Sequence, residues 1–156
     1  MTEVDRPIEQ RVSVLDRPAT DGDSPPEVSA SMLPGVEFSS FRLVLVDDDR
    51  RVYIARRGDD DLFVLFLDAE GGSGSEGHRS TLAEHGAIVT WNSVPGDRFI
   101  AAGIVADPVT AVRVGEIPAA LRDNAFAAVM PLGASDELIV TTPDGERQVP
   151  RPPLGF

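Results

Sequence analysis

The sequence predicts an all-β fold, a small antiparallel sandwich, from three observations. Over Ala111 to Val149, short apolar runs (AVRV, AFAAVMPL, ELIVTT) alternate with the turn signals RDN, GASD and PDG. Similar runs recur earlier at roughly ten-residue spacing, for about eight to ten strands in all. No long amphipathic helical period crosses the 156 residues, which excludes helical bundles and alternating α/β folds. Immunoglobulin-like connectivity is the expected topology, with a disordered N-terminal arm.

Residues 1–39 read as an extended, acidic arm. They hold five prolines (Pro7, Pro18, Pro25, Pro26, Pro34) and eight acids, and TDGDSPPEVSAS follows neither a helical nor a strand period. Such a stretch buries too little apolar area to offset its ordering entropy. Arg11-Val12-Ser13-Val14-Leu15 resists that reading. Its alternation suits a strand or a packed arm as well as it suits disorder.

The folded domain is expected over 40–149. Phe41–Val46, Val52–Arg56 and Leu62–Leu67 read as three strands of a meander, turned by DDDRR and GDDD. Leu62–Leu67 lacks polar alternation, so both its faces should be buried. AEGGSGSEGHRS reads as a flexible loop. Thr81-Leu82-Ala83-Glu84 followed by Gly86 predicts one short helical turn. Ala87–Trp91 and Arg98–Val105 resume strand. TT-PDG-ERQV predicts a closing hairpin: Pro143 presets φ in the turn, Gly145 tolerates positive φ, and a short charged last arm suits a sheet edge. Residues 150–156 read as an extended tail.

Composition removes several function classes. The net charge of −12 opposes nucleic acid and anionic lipid. All fourteen basic residues are Arg, a bias of GC-rich coding. The absence of Cys excludes disulfides, thiolate metal sites and a Cys nucleophile. No run of about eighteen apolar residues offers a transmembrane helix. The N-terminus MTEVDRPIEQ lacks the pattern of a signal peptide, so the chain as written is expected to be cytoplasmic, or exported if a leader precedes it.

Candidate chemistry is sparse. His78 and His85 read as exposed loop histidines rather than ligands. Asp47–Asp49 and Asp59–Asp61 fall on successive turns, hence at opposite sheet ends, and neither matches a calcium loop. GGSGSEG lacks the strand–turn–helix setting of a phosphate loop or nucleophile elbow. Trp91, the one tryptophan, either packs on the core rim or presents a binding face.

The segments VYIA, DDDLFVLF, the Gly/Ser-rich loop, LAEHG and AVRV…IPAALRDNAFAAVMP, preceded by VSVLDRPATDGDSPP, resemble an uncharacterised group of small β-rich actinobacterial proteins. The resemblance implies a domain that is often exported and has no assigned activity. Members tend to carry a Cys in the strand matching Leu62–Leu67 and another in the loop matching Gly77–Arg79. Phe63 or Val64 and His78 stand near those places here, so the disulfide-bonded form does not carry over.

By subtraction, the sequence is expected to encode a non-catalytic protein-interaction or structural module without cofactor or metal. The anticipated partner is another protein or a second copy, with no nucleic acid and no membrane insertion. Val12, Val14, Leu15 and Trp91 are the candidate interaction residues. A carboxylate-dependent hydrolase and a carbohydrate- or peptide-binding domain are the alternatives.

Overall fold

Each apolar run marked in the sequence becomes a strand, and the strands gather into three antiparallel sheets. The computed structural model describes residues 11–26, 28–69, 71–94, 98–131 and 137–149. The first sheet is a meander of β1 (Glu37–Asp47), β2 (Arg50–Arg57), β3 (Asp61–Asp68) and β4 (Gly71–His78), in that order. Its first two turns use left-handed residues, Asp48 (φ 55°) and Gly58 (φ 71°). Short polar Asp and Gly tolerate that conformation best. β1 carries a bulge between Leu43 and Leu45, which turns both Val44 and Leu45 into the core.

Residues 62–67 are buried on both faces of the sheet, as the unbroken apolar run requires. Leu62, Val64 and Phe66 face the second sheet, while Phe63, Leu65 and Leu67 face outward into a separate cluster.

The expectation of a flexible glycine-rich loop is corrected. Gly71–His78 is a strand, paired with β3 in continuous register from Asp61↔His78 to Asp68↔Gly71. The glycines are there for close approach. A Cβ on Gly74 would sit 2.6 Å from Cζ of Phe63, and one on Gly72 would strike the carbonyl of Phe66 and the Leu67 side chain. Composition alone reads such a stretch as linker. Next to a bulky buried strand, a missing Cβ is what lets the backbone ladder form.

The chain then enters α1 (Arg79–His85). Gly86 (φ 90°) ends the helix as predicted, its N–H donating to the Leu82 carbonyl at 3.0 Å. The start differs: His78 is the N-cap, and its Nδ1 accepts from the Ser80 amide at 3.1 Å. The remaining strands are β5 (Ala87–Val94), β6 (Arg98–Val105), β7 (Ala111–Val114), β8 (Ile117–Pro118), β9 (Ala120–Arg122), β10 (Ala125–Pro131), β11 (Leu138–Thr142) and β12 (Gly145–Val149). They form a second sheet, β5-β6-β10-β9, and a third, β12-β11-β7-β8. The closing hairpin has the expected partners, from Leu138↔Val149 to Thr142↔Gly145, with Gly145 at φ 135°.

The second sheet is the middle layer. One face packs Ile88, Ile100, Ala102 and Ile104 against Val52, Ile54, Val64 and Phe66 of the first sheet. The other packs Phe99, Ala101, Phe126 and Met130 against Val112, Val114, Leu138 and Val140 of the third. The fold is thus an all-β sandwich with an added layer. Its first four strands stay in one sheet in sequence order. An immunoglobulin domain instead distributes its early strands between two sheets, so the expected immunoglobulin-like connectivity is corrected. Successive hairpins were the cheapest route for strands joined by such short turns.

The arm also departs from expectation. Residues 1–10 and the tail 150–156 lie outside the described residues. From Arg11 to Val36 the arm is mostly irregular, with short 3-10 turns at Ser13–Asp16, Asp21–Asp23 and Ala30–Met32, but it is docked. Asn124 Oδ1 accepts the Val14 amide at 3.0 Å, and Asp107 Oδ1 accepts the Ser13 amide at 2.9 Å. Prolines forbid regular hydrogen bonding along such a segment. They do not forbid side chains of the sandwich from satisfying its backbone instead.

Candidate functional site

The arm determines which surface of the sandwich is left open. Val12, Val14 and Leu15 enter the core between the first two sheets, at 3%, 6% and 3% exposure. These expected interaction residues therefore spend their apolar surface within the chain. The arm next crosses the edge of β1, where a clasp holds it. Both Arg17 Nη atoms donate to the carboxylate of Asp23 at 2.8 Å. Asp23 is buried and also accepts the amides of Leu43 (2.8 Å) and Thr20 (2.7 Å). Arg17 Nη2 donates to the Leu43 carbonyl at 3.1 Å, and Arg42 Nε donates to the Arg17 carbonyl at 2.9 Å. The Arg17 guanidinium, aided by the Leu43 and Thr20 amides, holds the Asp23 carboxyl well below the usual carboxylate range.

Beyond the clasp the arm lies over the outer face of the first sheet. Pro34-Gly35, with Gly35 at φ 86°, turns it into β1. Val28, Leu33 and Val36 of the arm, with Phe38 of β1, pack against the cluster built around Phe41, Tyr53 and Phe63 on that face. Phe41 is the hub, in edge-to-face contact with Phe38, Tyr53 and Phe63 at ring centroid distances of 5.1, 6.2 and 6.3 Å.

The cover stops short of β4. Between the arm and β4 lies a groove of about 840 Å³, floored by Phe63, Leu65 and Leu67 and walled by Val28, Met32 and Leu33. Gly72, Ser73 and Gly74 form its far side. Two causes keep it open: the arm turns away at Pro34, and the glycines opposite Leu67 and Leu65 supply no side chain to fill the space. Met32, 61% exposed, stands on the rim. One end carries Asp49, Asp68 and Arg51. Asp49 Oδ2 accepts the Ala69 amide at 3.2 Å. Arg51 donates to the Tyr53 hydroxyl at 3.0 Å and lies 5.9 Å from the centre of that ring. The volume falls within the roughly 300–1,000 Å³ of small-ligand pockets.

The other sequence candidates fall elsewhere. Trp91 is half-buried in β5, its ring 6.0 Å from that of Phe99 and inclined to it by 32°, on the side facing the third sheet. It shares no surface with the groove or with Val12, Val14 and Leu15. The two acidic runs occupy opposite ends of the first sheet, as their turns require, and only Asp49 reaches the groove. His78 caps α1, and His85 lies 3.7 Å from Glu84. Among the described residues no cluster of three or more His, Asp or Glu is placed to hold a metal ion. Among them, too, no helix is long and apolar enough to cross a membrane.

Sequence reasoning missed Val28, Met32, Leu33, Gly72 and Gly74. Two signals could have found them: the isolated apolar residues of the arm, which need a surface to cover, and the Gly-x-Gly period opposite a bulky strand. No protein-family model, curated protein or solved structure matches the chain.

Proposed function

We propose that this chain is a non-catalytic protein-interaction module that takes an extended apolar segment of a partner protein into the groove beside β4. The observation that carries the reading is the groove floor. Phe63, Leu65 and Leu67 belong to the most hydrophobic strand of the chain, and the arm covers only part of that face. An apolar hollow of this size with a few polar groups at one end is the usual form of a recognition site. The net charge of −12 supports a protein partner over nucleic acid. Trp91 is partly buried and is not among the groove's lining residues, which supports a peptide over a carbohydrate there.

The test is fluorescence of the full chain with the apolar probe bis-ANS. Native protein should bind the probe saturably. Met32→Glu, which places a charge on the rim at an exposed position, should weaken binding by about tenfold while the melting curve stays in place. Equal binding by the variant would sink the reading.

A further inference from the structure

We propose that Met32 is a peroxide-sensitive modification site, and that its oxidation to the sulfoxide loosens the groove's hold on apolar segments. The proposal rests on the groove being a binding surface and adds a regulation of that surface.

The first ground is selectivity. The chain holds three methionines and no cysteine. Oxidation of sulfur follows access, and no thiol competes for the oxidant here. Met130 lies in β10, fully buried between the second and third sheets. Met1 lies outside the described residues. Met32 is 61% exposed. It ends the 3-10 turn Ala30–Met32, with Ser29, Ser31 and Pro34 exposed around it. Peroxide in solvent therefore reaches it without any opening of the sandwich.

The second ground is how the sulfur is held. The Met32 amide donates to the Ser29 carbonyl at 3.0 Å, and the Ser29 amide donates back to Met32 Sδ at 3.4 Å. A thioether is a weak acceptor, so the Ser29 amide is poorly served. The oxygen of a sulfoxide is a better one. The turn thus already aims a donor at the sulfur, and oxidation gives that donor a stronger partner. The sulfur has two lone pairs, of which the amide engages one.

The chemistry is a two-electron oxygen transfer. A sulfur lone pair attacks one oxygen of hydrogen peroxide. An S–O bond forms as the O–O bond breaks. The departing hydroxide takes the proton from the transferred oxygen and leaves as water. Sulfur is oxidised by two electrons and the peroxide is reduced by two.

The third ground is position. Met32 shares the groove wall with Val28 and Leu33, above the floor of Phe63, Leu65 and Leu67. Val28 and Leu33 are plain hydrocarbon, so among the wall residues only Met32 can be altered in this way. Oxidation turns a flexible apolar side chain into a polar one. An apolar segment entering the groove must then strip water from the sulfoxide without offering it a partner. Met32 belongs to none of the three buried clusters, so the change falls on the groove and spares the fold.

The experiment treats the full chain with hydrogen peroxide, quenches with catalase and maps the products by peptide mass spectrometry. Met32 should gain one oxygen at least about tenfold faster than Met130. The oxidised chain should keep its melting curve and bind bis-ANS about threefold more weakly, a smaller loss than the full charge of Met32→Glu causes. Methionine sulfoxide reductases of both stereochemical classes, driven by dithiothreitol, should restore binding. The chain has no disulfide for dithiothreitol to break. Met32→Leu should bind the probe equally before and after peroxide. Equal oxidation of Met32 and Met130 would overturn the selectivity. A loss that peroxide also causes in Met32→Leu, or that the reductases do not reverse, would overturn the site. If Met32→Glu weakens bis-ANS binding but oxidation of Met32 does not, this proposal fails and the groove remains a binding site. If Met32→Glu leaves bis-ANS binding unchanged, the underlying reading fails first.

Discussion

Replacing Asp23 by Ala should release the arm. The Asp23 carboxylate has 4% of its side chain exposed and receives two guanidinium N–H bonds at 2.8 Å. It also accepts two backbone amides, from Leu43 and Thr20. Removing one partner of a buried ion pair costs about 3–5 kcal/mol. Arg17 is 37% exposed and can rehydrate, so the figure here falls to about 2–3 kcal/mol. The cost is also capped: once it exceeds the docking free energy of the arm, the arm detaches and the sandwich survives. A loss of that size lowers the melting temperature by roughly 4–12 °C in a chain of this length. The pH dependence has a definite sign. The folded-state pKa of Asp23 is depressed, so its contribution is complete above the unfolded value of about 3.9 and is lost as pH falls toward the folded one. The gap between parent and variant should therefore be widest at neutral pH and close in acid. Thermal melts from pH 7 to pH 2, with limited thermolysin digestion at neutral pH, measure both effects. If Asp23→Ala melts with the parent and the arm resists thermolysin equally, the clasp is not what holds the arm.

Three further outcomes follow from packing and backbone geometry. Phe66→Ala removes a fully buried ring from between two sheets and should cost about 3–5 kcal/mol in urea unfolding; a cost below about 1 kcal/mol would mean that β3 is not central. His78→Ala deletes the acceptor that caps α1 and should cost about 1 kcal/mol by the same measurement, whereas an exposed, idle histidine would cost nothing. Gly145→Val forces a β-branched residue to φ 135° and should cost roughly 1–3 kcal/mol; parental stability would show that the turn can be remade without glycine.

The strands were legible because their signals are local. The run Leu62–Leu67 and the hairpin around Asp144-Gly145 state their pairing in adjacent residues. β4 was not legible because its glycines make sense only against Phe63, Phe66 and Leu67. The arm failed for a related reason. Its composition averages to disorder, yet a few residues decide its fate: Val12, Val14 and Leu15 in the core, and Asp23 under Arg17. The layering was hidden as well. The unbroken apolar runs of β6 and β10 imply two buried faces, but not that a third sheet covers one of them. The groove is the sum of these omissions, since it is bounded by the arm on one side and by the glycine strand on the other.

The central claim, that the face beside β4 is a recognition surface for extended peptide, is tested most directly by an amide-resolved NMR titration. Isotope-labelled full chain is titrated with an extended nonapeptide that carries Leu-x-Leu. The account predicts concentration-dependent shifts centred on Gly72, Ser73, Gly74 and Leu33, with the Gly72–Gly74 amides gaining protection from hydrogen exchange. A second hollow of about 490 Å³ lies between the edges of β1 and β9, lined by residues 43–47 and 120–122. Shifts centred there, or none anywhere at millimolar peptide, would contradict it.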